Sequence, residues 1–210
     1  MRHITFYLDF ISPFSYLAFE KLPETLKGLS YEVRYRPVLL GALLRHHGLM
    51  GPAEVAAKRE WTYRHVLWLG HQHQLPMQMP AVHPFNPLPL LRLAIACASA
   101  EDPNRYVCET LLRYVWRDGA AVEDEARMHE LREKLSPAMS PDDAAVKTRL
   151  RENTDQALGA GVFGVPAFEV DGRLFWGFDS LPMLRSYLDG ETWFDGPGWS
   201  EASERPSALK

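Results

Sequence analysis

Between residues 3 and 10, HITFYLDF, apolar Ile4, Phe6, Leu8 and Phe10 alternate with Thr5, Tyr7 and Asp9. This period of two predicts a β-strand with two distinguishable faces. The next stretch, SPFSYLAFEKLPETLKG, changes period: Ser12 stands as an N-cap, Pro13 takes a first helical position where its missing N–H costs nothing, and Gly28 marks the stop. YEVRYRPVLL alternates again at Tyr31, Val33 and Tyr35, so the chain opens β-α-β. From about residue 41 to residue 158 the pattern is mostly helical, in PAEVAAKREWTYRHVLWLGHQHQ, LPLLRLAIACASAED, NRYVCETLLRYVWRDG and SPDDAAVKTRLRENTDQALG. Proline-rich LPMQMPAVHPFNPLP interrupts it and predicts an irregular connection. In the last helical segment Ser140 and Asp143 come close to a capping box, and Gly159 closes it. PAFEVDGRLFWGF then predicts two short strands joined at Asp171-Gly172, and DSLPMLRSYLDG a final helix stopped by Gly190.

The order β-α-β, a long helical block, then α-β-β-α is that of an α/β, thioredoxin-like fold with a large all-helical insertion. It divides the chain into a discontinuous thioredoxin-like domain, residues 1–40 and 155–195, a helical insertion domain, 41–154, and a loosely held polar tail, 197–210.

Composition narrows the partners. The net charge of -4 gives no general attraction to nucleic acid or to an anionic membrane. No apolar run approaches the roughly 20 residues of a membrane-spanning helix, and the amino terminus carries no export signal, so a soluble cytoplasmic protein is expected. Cys97 and Cys108 form neither a Cys-x-x-Cys pair nor a zinc set and read as small apolar core residues, which leaves no redox chemistry to the chain's own thiols. His46-His47 and the pair His71 and His73 point apart on a helix, so no metal site is predicted. GAGVFG lacks the strand-then-helix context of a phosphate loop.

The candidate chemistry begins at Ser12-Pro13-Phe14-Ser15, which follows the first strand where a thiol oxidoreductase would carry Cys-x-x-Cys. Read alone, Ser12 is an ordinary N-cap, and Ser15 a helix-surface hydroxyl facing its own backbone. The segments FYLDFISPFSYLA, HPFNPLPLLR and GVFGVPAFEVDGRLFWGFDSLPML, in this order and spacing, resemble the glutathione-dependent 2-hydroxychromene-2-carboxylate isomerases, relatives of kappa-class glutathione transferases in the DsbA-like branch of thioredoxin folds. The resemblance implies a DsbA-like fold, reduced glutathione as cofactor, a small aromatic substrate, a homodimer and a setting in naphthalene-type aromatic catabolism.

It also assigns roles. Ser12 becomes the catalytic residue, a hydroxyl that donates to the glutathione sulfur at a helix N-terminus, where negative charge is favoured. A free thiol titrates near 8.5, and lowering that by about 1 to 2 units makes much of it nucleophilic at neutral pH. The resemblance implies a cis bond before Pro166, which leaves the backbone of Val165 to pair with the cysteinyl unit of glutathione like a strand edge. Asp179 and Ser180 are implied at the γ-glutamyl group, although either also reads as a helix cap, and kappa-class relatives often carry a basic residue where Ser180 stands. Lys58 is implied at the glycine carboxylate. Asn86 is assigned to the substrate carboxylate or hydroxyl, its alternative being a loop-turn asparagine, and Trp61, with Tyr63, to an apolar pocket, the alternative being helix packing. Two competing functions stay open: a glutathione transferase acting on other small electrophiles, and a non-catalytic thioredoxin-fold binding module.

Overall fold

The computed structural model describes residues 1–98 and 102–204. Strand β1 (Arg2–Leu8) leads into helix α1 (Pro13–Thr25) and returns as β2 (Tyr31–Pro37). The helical block follows as α2 (Leu40–His46), α3 (Ala56–Gln72), α4 (Leu88–Ala96), α5 (Arg105–Trp116), α6 (Glu125–Leu135) and α7 (Ala144–Gly159). The chain then re-enters the sheet as β3 (Ala167–Val170) and β4 (Arg173–Trp176) and closes with α8 (Leu181–Leu188).

The four strands lie in the order β2-β1-β3-β4. β1 runs parallel to β2, with Phe6 opposite Tyr35, and antiparallel to β3, with Phe6 opposite Phe168. The first strand is therefore central, and the helical block separates it in sequence from its β3 neighbour. The β3–β4 hairpin turns at Asp171 (φ 51°) and Gly172 (φ 74°), the left-handed pair that a two-residue connection requires. Both faces of β1 are covered. Ile4, Phe6 and Leu8 join Phe19, Tyr35 and Phe168 in the main core, with the Phe6 and Phe168 rings 4.6 Å apart. Tyr7, on the face that alternation makes polar, is buried against Val38, Leu43, Ala157, Val162 and Ala167, and its hydroxyl donates to Glu169 at 2.6 Å.

The predicted boundary near residue 155 falls inside α7, which runs unbroken from Ala144 to Gly159 and packs on β2 and α2. Asn153 donates to the Pro37 carbonyl at 3.3 Å, and Thr154 accepts the Leu39 N–H at 3.1 Å. The last helix of the block is thus part of the sheet layer, and one continuous core spans both segments. Its start meets the capping-box expectation by half: the Asp143 carboxylate accepts the Ser140 N–H at 3.2 Å, but Ser140 Oγ accepts the Asp142 N–H at 3.2 Å and the N-cap of the helix is Asp143.

The tail is better held than its polarity implies. Trp199, in a helical turn at Pro197–Ser200, packs 5.8 Å from Phe175 and 5.5 Å from Phe194, with the Arg173 guanidinium 5.3 Å from its ring. The remainder of the predicted tail, from residue 205, lies outside the described residues. Cys97 and Cys108 are free thiols whose burial pushes their pKa upward, that of Cys97 to about 11. Among the described residues no helix is long and apolar enough to cross a membrane.

Candidate active site

The site begins where β1 ends. Asp9 is completely buried; its carboxylate accepts the N–H groups of Ile11 at 3.2 Å and Leu40 at 2.9 Å, and its carbonyl accepts the Ser12 N–H at 3.1 Å. The loop from residue 9 to residue 12 is therefore a closed turn, tied on one side to the start of α2. Burial, opposed by those backbone hydrogen bonds, raises the Asp9 acid to about 7. Tryptophan from α5 holds the next carbonyl: Trp116 donates to Phe10 O at 2.8 Å.

Ser12 caps α1 with an extended backbone, and its Oγ accepts the Ser15 N–H at 3.2 Å. Its hydroxyl hydrogen faces the Val165 carbonyl at 3.5 Å, too long for a strong hydrogen bond. The hydroxyl can therefore turn its hydrogen to an acceptor offered nearby. Ser15, expected on the helix surface, is instead completely buried, and its Oγ has no hydrogen-bond partner.

Beside Ser12 lies a groove of about 530 Å³. Val165 and Pro166 form one edge, joined by a cis peptide bond as the resemblance implied. Phe14 from α1, Leu69 from α3, Trp176 at the end of β4 and Phe178 supply apolar walls. Lys21, His65, His73 and Asp179 add charged or hydrogen-bonding groups. Backbone shape makes room for them. A Cβ on Gly164 would lie 2.8 Å from the Trp176 indole nitrogen, and one on Gly177 (φ 97°) 2.4 Å from the Asp179 carboxylate. Glycine at these positions lets Trp176 and Asp179 close over the backbone.

Of the residues singled out from sequence, Val165, Pro166 and Asp179 line the groove, with Ser12 adjoining Val165. The others lie outside its lining. Ser180 donates through Oγ to the Gly177 carbonyl at 2.8 Å, so its hydroxyl is used in the turn before α8. Lys58 is an exposed residue in the first turn of α3. Trp61 is 67% exposed and stacks on His65, ring centroids 6.1 Å apart. Asn86 is exposed, and its Oδ1 accepts the Leu88 N–H at 3.1 Å, which makes it the turn asparagine at the start of α4. Tyr63 turns away from the groove toward His83.

Asp9, Phe14, Lys21, His65, His73 and Trp176 were not selected from sequence. Asp9 had a signal, an acid inside the apolar run LDFI; the others carry no local mark, because they converge from α1, α3 and β4.

A central β1–α1–β2 unit, an antiparallel hairpin behind a cis-proline loop, and serines where paired cysteines would stand define a thioredoxin-fold protein with a helical insertion. A family model described as a DSBA-like thioredoxin domain matches residues 3–189. A 2-hydroxychromene-2-carboxylate isomerase of Sphingobium xenophagum is 30% identical over 197 residues, covering 89% of this chain and 98% of its own. Glutathione S-transferase kappa 1 of Rattus norvegicus is 28% identical over 221 residues, covering 93% and 94%. The solved structure of a 2-hydroxychromene-2-carboxylate isomerase matches 97% of this chain and 100% of its own with a TM-score of 0.78 at 24% identity, a likeness of fold. The chain belongs to the DSBA-like thioredoxin family, alongside the 2-hydroxychromene-2-carboxylate isomerases and kappa-class glutathione transferases.

Proposed function

We propose that the protein binds reduced glutathione in this groove and interconverts 2-hydroxychromene-2-carboxylate and trans-o-hydroxybenzylidenepyruvate. The observation that carries this proposal is the Ser12 hydroxyl, which stands at the head of a 13-residue helix beside the Val165–Pro166 edge with only a weak partner for its hydrogen.

The donor set suits glutathione. An extended tripeptide with two carboxylates, one amine and one thiol needs cationic or N–H donors, an acceptor, a backbone edge and a partner for sulfur. Lys21, His65 and His73 supply the first, Asp179 the second and Val165 the third, within a volume ordinary for a small-molecule site. Ser12 and the head of α1 supply the last. When bound, glutathione brings a nucleophilic thiolate that can add reversibly to a conjugated double bond and so permit its rotation. The chain's own residues do the rest. Ser12 donates to sulfur and favours its ionised form. Asp179 accepts from the ligand amine. Phe14, Leu69, Trp176 and Phe178 exclude water and give an aromatic substrate a surface to lie on.

One observation favours a second proposal, a transferase that conjugates small electrophiles with the same thiolate. Asn86, the residue that pointed most directly to the hydroxychromene, is spent in a turn outside the groove. The ultraviolet spectrum of 2-hydroxychromene-2-carboxylate with the protein, with and without reduced glutathione, separates the cases. Isomerisation that requires both supports the isomerase, and Ser12→Ala is then expected to lower kcat/KM at least roughly 100-fold while the protein stays folded. Glutathione binding without isomerisation, but with conjugation of an aryl halide, moves the transferase forward; binding without either turnover leaves a binding module.

A further inference from the structure

We propose that His83 is a positioning residue for Ser12, holding the Ile11 carbonyl immediately before it and linking that loop through Tyr63 to the helix that walls the groove. This rests on the role given to Ser12 above. His83 Nε2 lies 3.0 Å from Ile11 O. A carbonyl only accepts, so Nε2 carries the hydrogen and Nδ1 of the neutral ring is an acceptor. Tyr63 meets that requirement: its hydroxyl lies 2.8 Å from Nδ1 and 2.7 Å from the carbonyl of His83 itself. The phenol has a single hydrogen to give, so it serves Nδ1 or the His83 carbonyl at any one time, and it is the bond to Nδ1 that fixes the tautomer and orients the ring.

The ring is further fixed by packing. It lies 5.3 Å from Trp116 and 6.0 Å from Phe85, both edge-on. These neighbours and the Ile11 carbonyl are uncharged, and burial keeps the imidazole neutral by lowering its pKa. Trp116 itself holds Phe10 O. The two carbonyls that precede Ser12 are therefore gripped in succession, one by α5 and one by the connection between α3 and α4. Nothing in a thioredoxin-like βαβ unit supplies these donors; the helical block does. Tyr63 stands on α3 two residues before His65, whose ring lines the groove and lies 5.9 Å from Phe14. The loop before Ser12 and one wall of the groove are in this way tied to the same helix.

The test uses the full chain with saturating reduced glutathione, reading the ultraviolet absorbance of the bound thiolate against pH, alongside kcat and KM and a thermal melt. His83→Phe keeps the ring and its packing but removes the donor. His83→Gln places an amide N–H where Nε2 stood; His83→Asn reaches only the Tyr63 side. The thiolate of bound glutathione is expected to titrate at higher pH in His83→Phe and His83→Asn, with kcat reduced roughly 10-fold or more and KM for glutathione changed less, since displacements near 1 Å cost up to about 100-fold. His83→Gln is expected to restore both to within about 3-fold of wild type.

A folded His83→Phe with unaltered thiolate titration and kcat overturns the proposal. Should His83→Phe not fold, Asn and Gln decide it, and equal behaviour of those two overturns it. Wild-type protein that binds glutathione without lowering its thiol pKa overturns the role of Ser12 first, an outcome distinct from failure of the His83 link.

Discussion

Asp9 shows how a single residue can combine structural and electrostatic roles. Its two carboxylate oxygens accept from Ile11 and from Leu40, so the same side chain closes the loop before Ser12 and starts α2. In the folded protein its acid is raised to about 7 from an ordinary 3.8, because burial outweighs those two hydrogen bonds. The native state therefore keeps a proton that the unfolded chain gives up. Its contribution to stability is full below about pH 4 and declines as pH rises to about 7. Asp9→Asn cannot ionise, and the fall in urea midpoint between these pH values is expected to flatten in that variant; an unchanged slope would locate the titration elsewhere. In sequence Asp9 occupied a polar slot of an alternating strand, and only the covering of both faces of β1 turned that slot into an interior one.

At the scale of elements, α1 is held at its head and along its flank. Its head depends on the loop from Asp9 to Ser12, and its flank on α5, where Arg113 donates to Glu20 at 2.7 and 2.9 Å. Glu20 is largely buried, and the paired geometry is the stronger kind of charge-assisted contact. Glu20→Gln is expected to cost about 1 to 2 kcal/mol in denaturant unfolding, because one charged hydrogen bond becomes a neutral one. The helix was legible from its cap, its proline and its apolar spacing. Its partner was not, because periodicity identifies an apolar face and leaves open which helix covers it. The same limit explains the buried Ser15 and the predicted boundary that cut α7: helicity could be read at residues 144–159, but the packing of their far end on β2 could not.

Over the whole molecule, the groove is assembled from segments far apart in the chain, Phe14 and Lys21 near its start, His65 and His73 in the helical block, and Val165 to Asp179 near its end. The C-terminal turn also belongs to the folded body, since Trp199 covers Phe175 and Phe194 on the outer side of the β4 and α8 layer. Removing residues 197–210 is expected to lower stability by about 1 to 3 kcal/mol, the worth of uncovering one large aromatic side chain and its neighbours. A shortened chain with an unchanged melting temperature would refute that packing role.

What the sequence by itself determined was local or marked by special residues. The alternating opening strand, the capped α1 and the hairpin at Asp171-Gly172 each follow from constraints within a few residues, whereas the cis bond at Val165-Pro166 was reached only through the family resemblance. Tertiary structure alone decided which polar groups meet. It buried Asp9 and Ser15, left Asn86, Lys58 and Trp61 outside the groove lining, turned Tyr63 onto His83, and set Lys21, His65 and His73 around one cavity. The physical reason is that backbone preference acts over neighbouring residues, whereas burial and hydrogen-bond partnership depend on surfaces brought together across more than a hundred residues of chain.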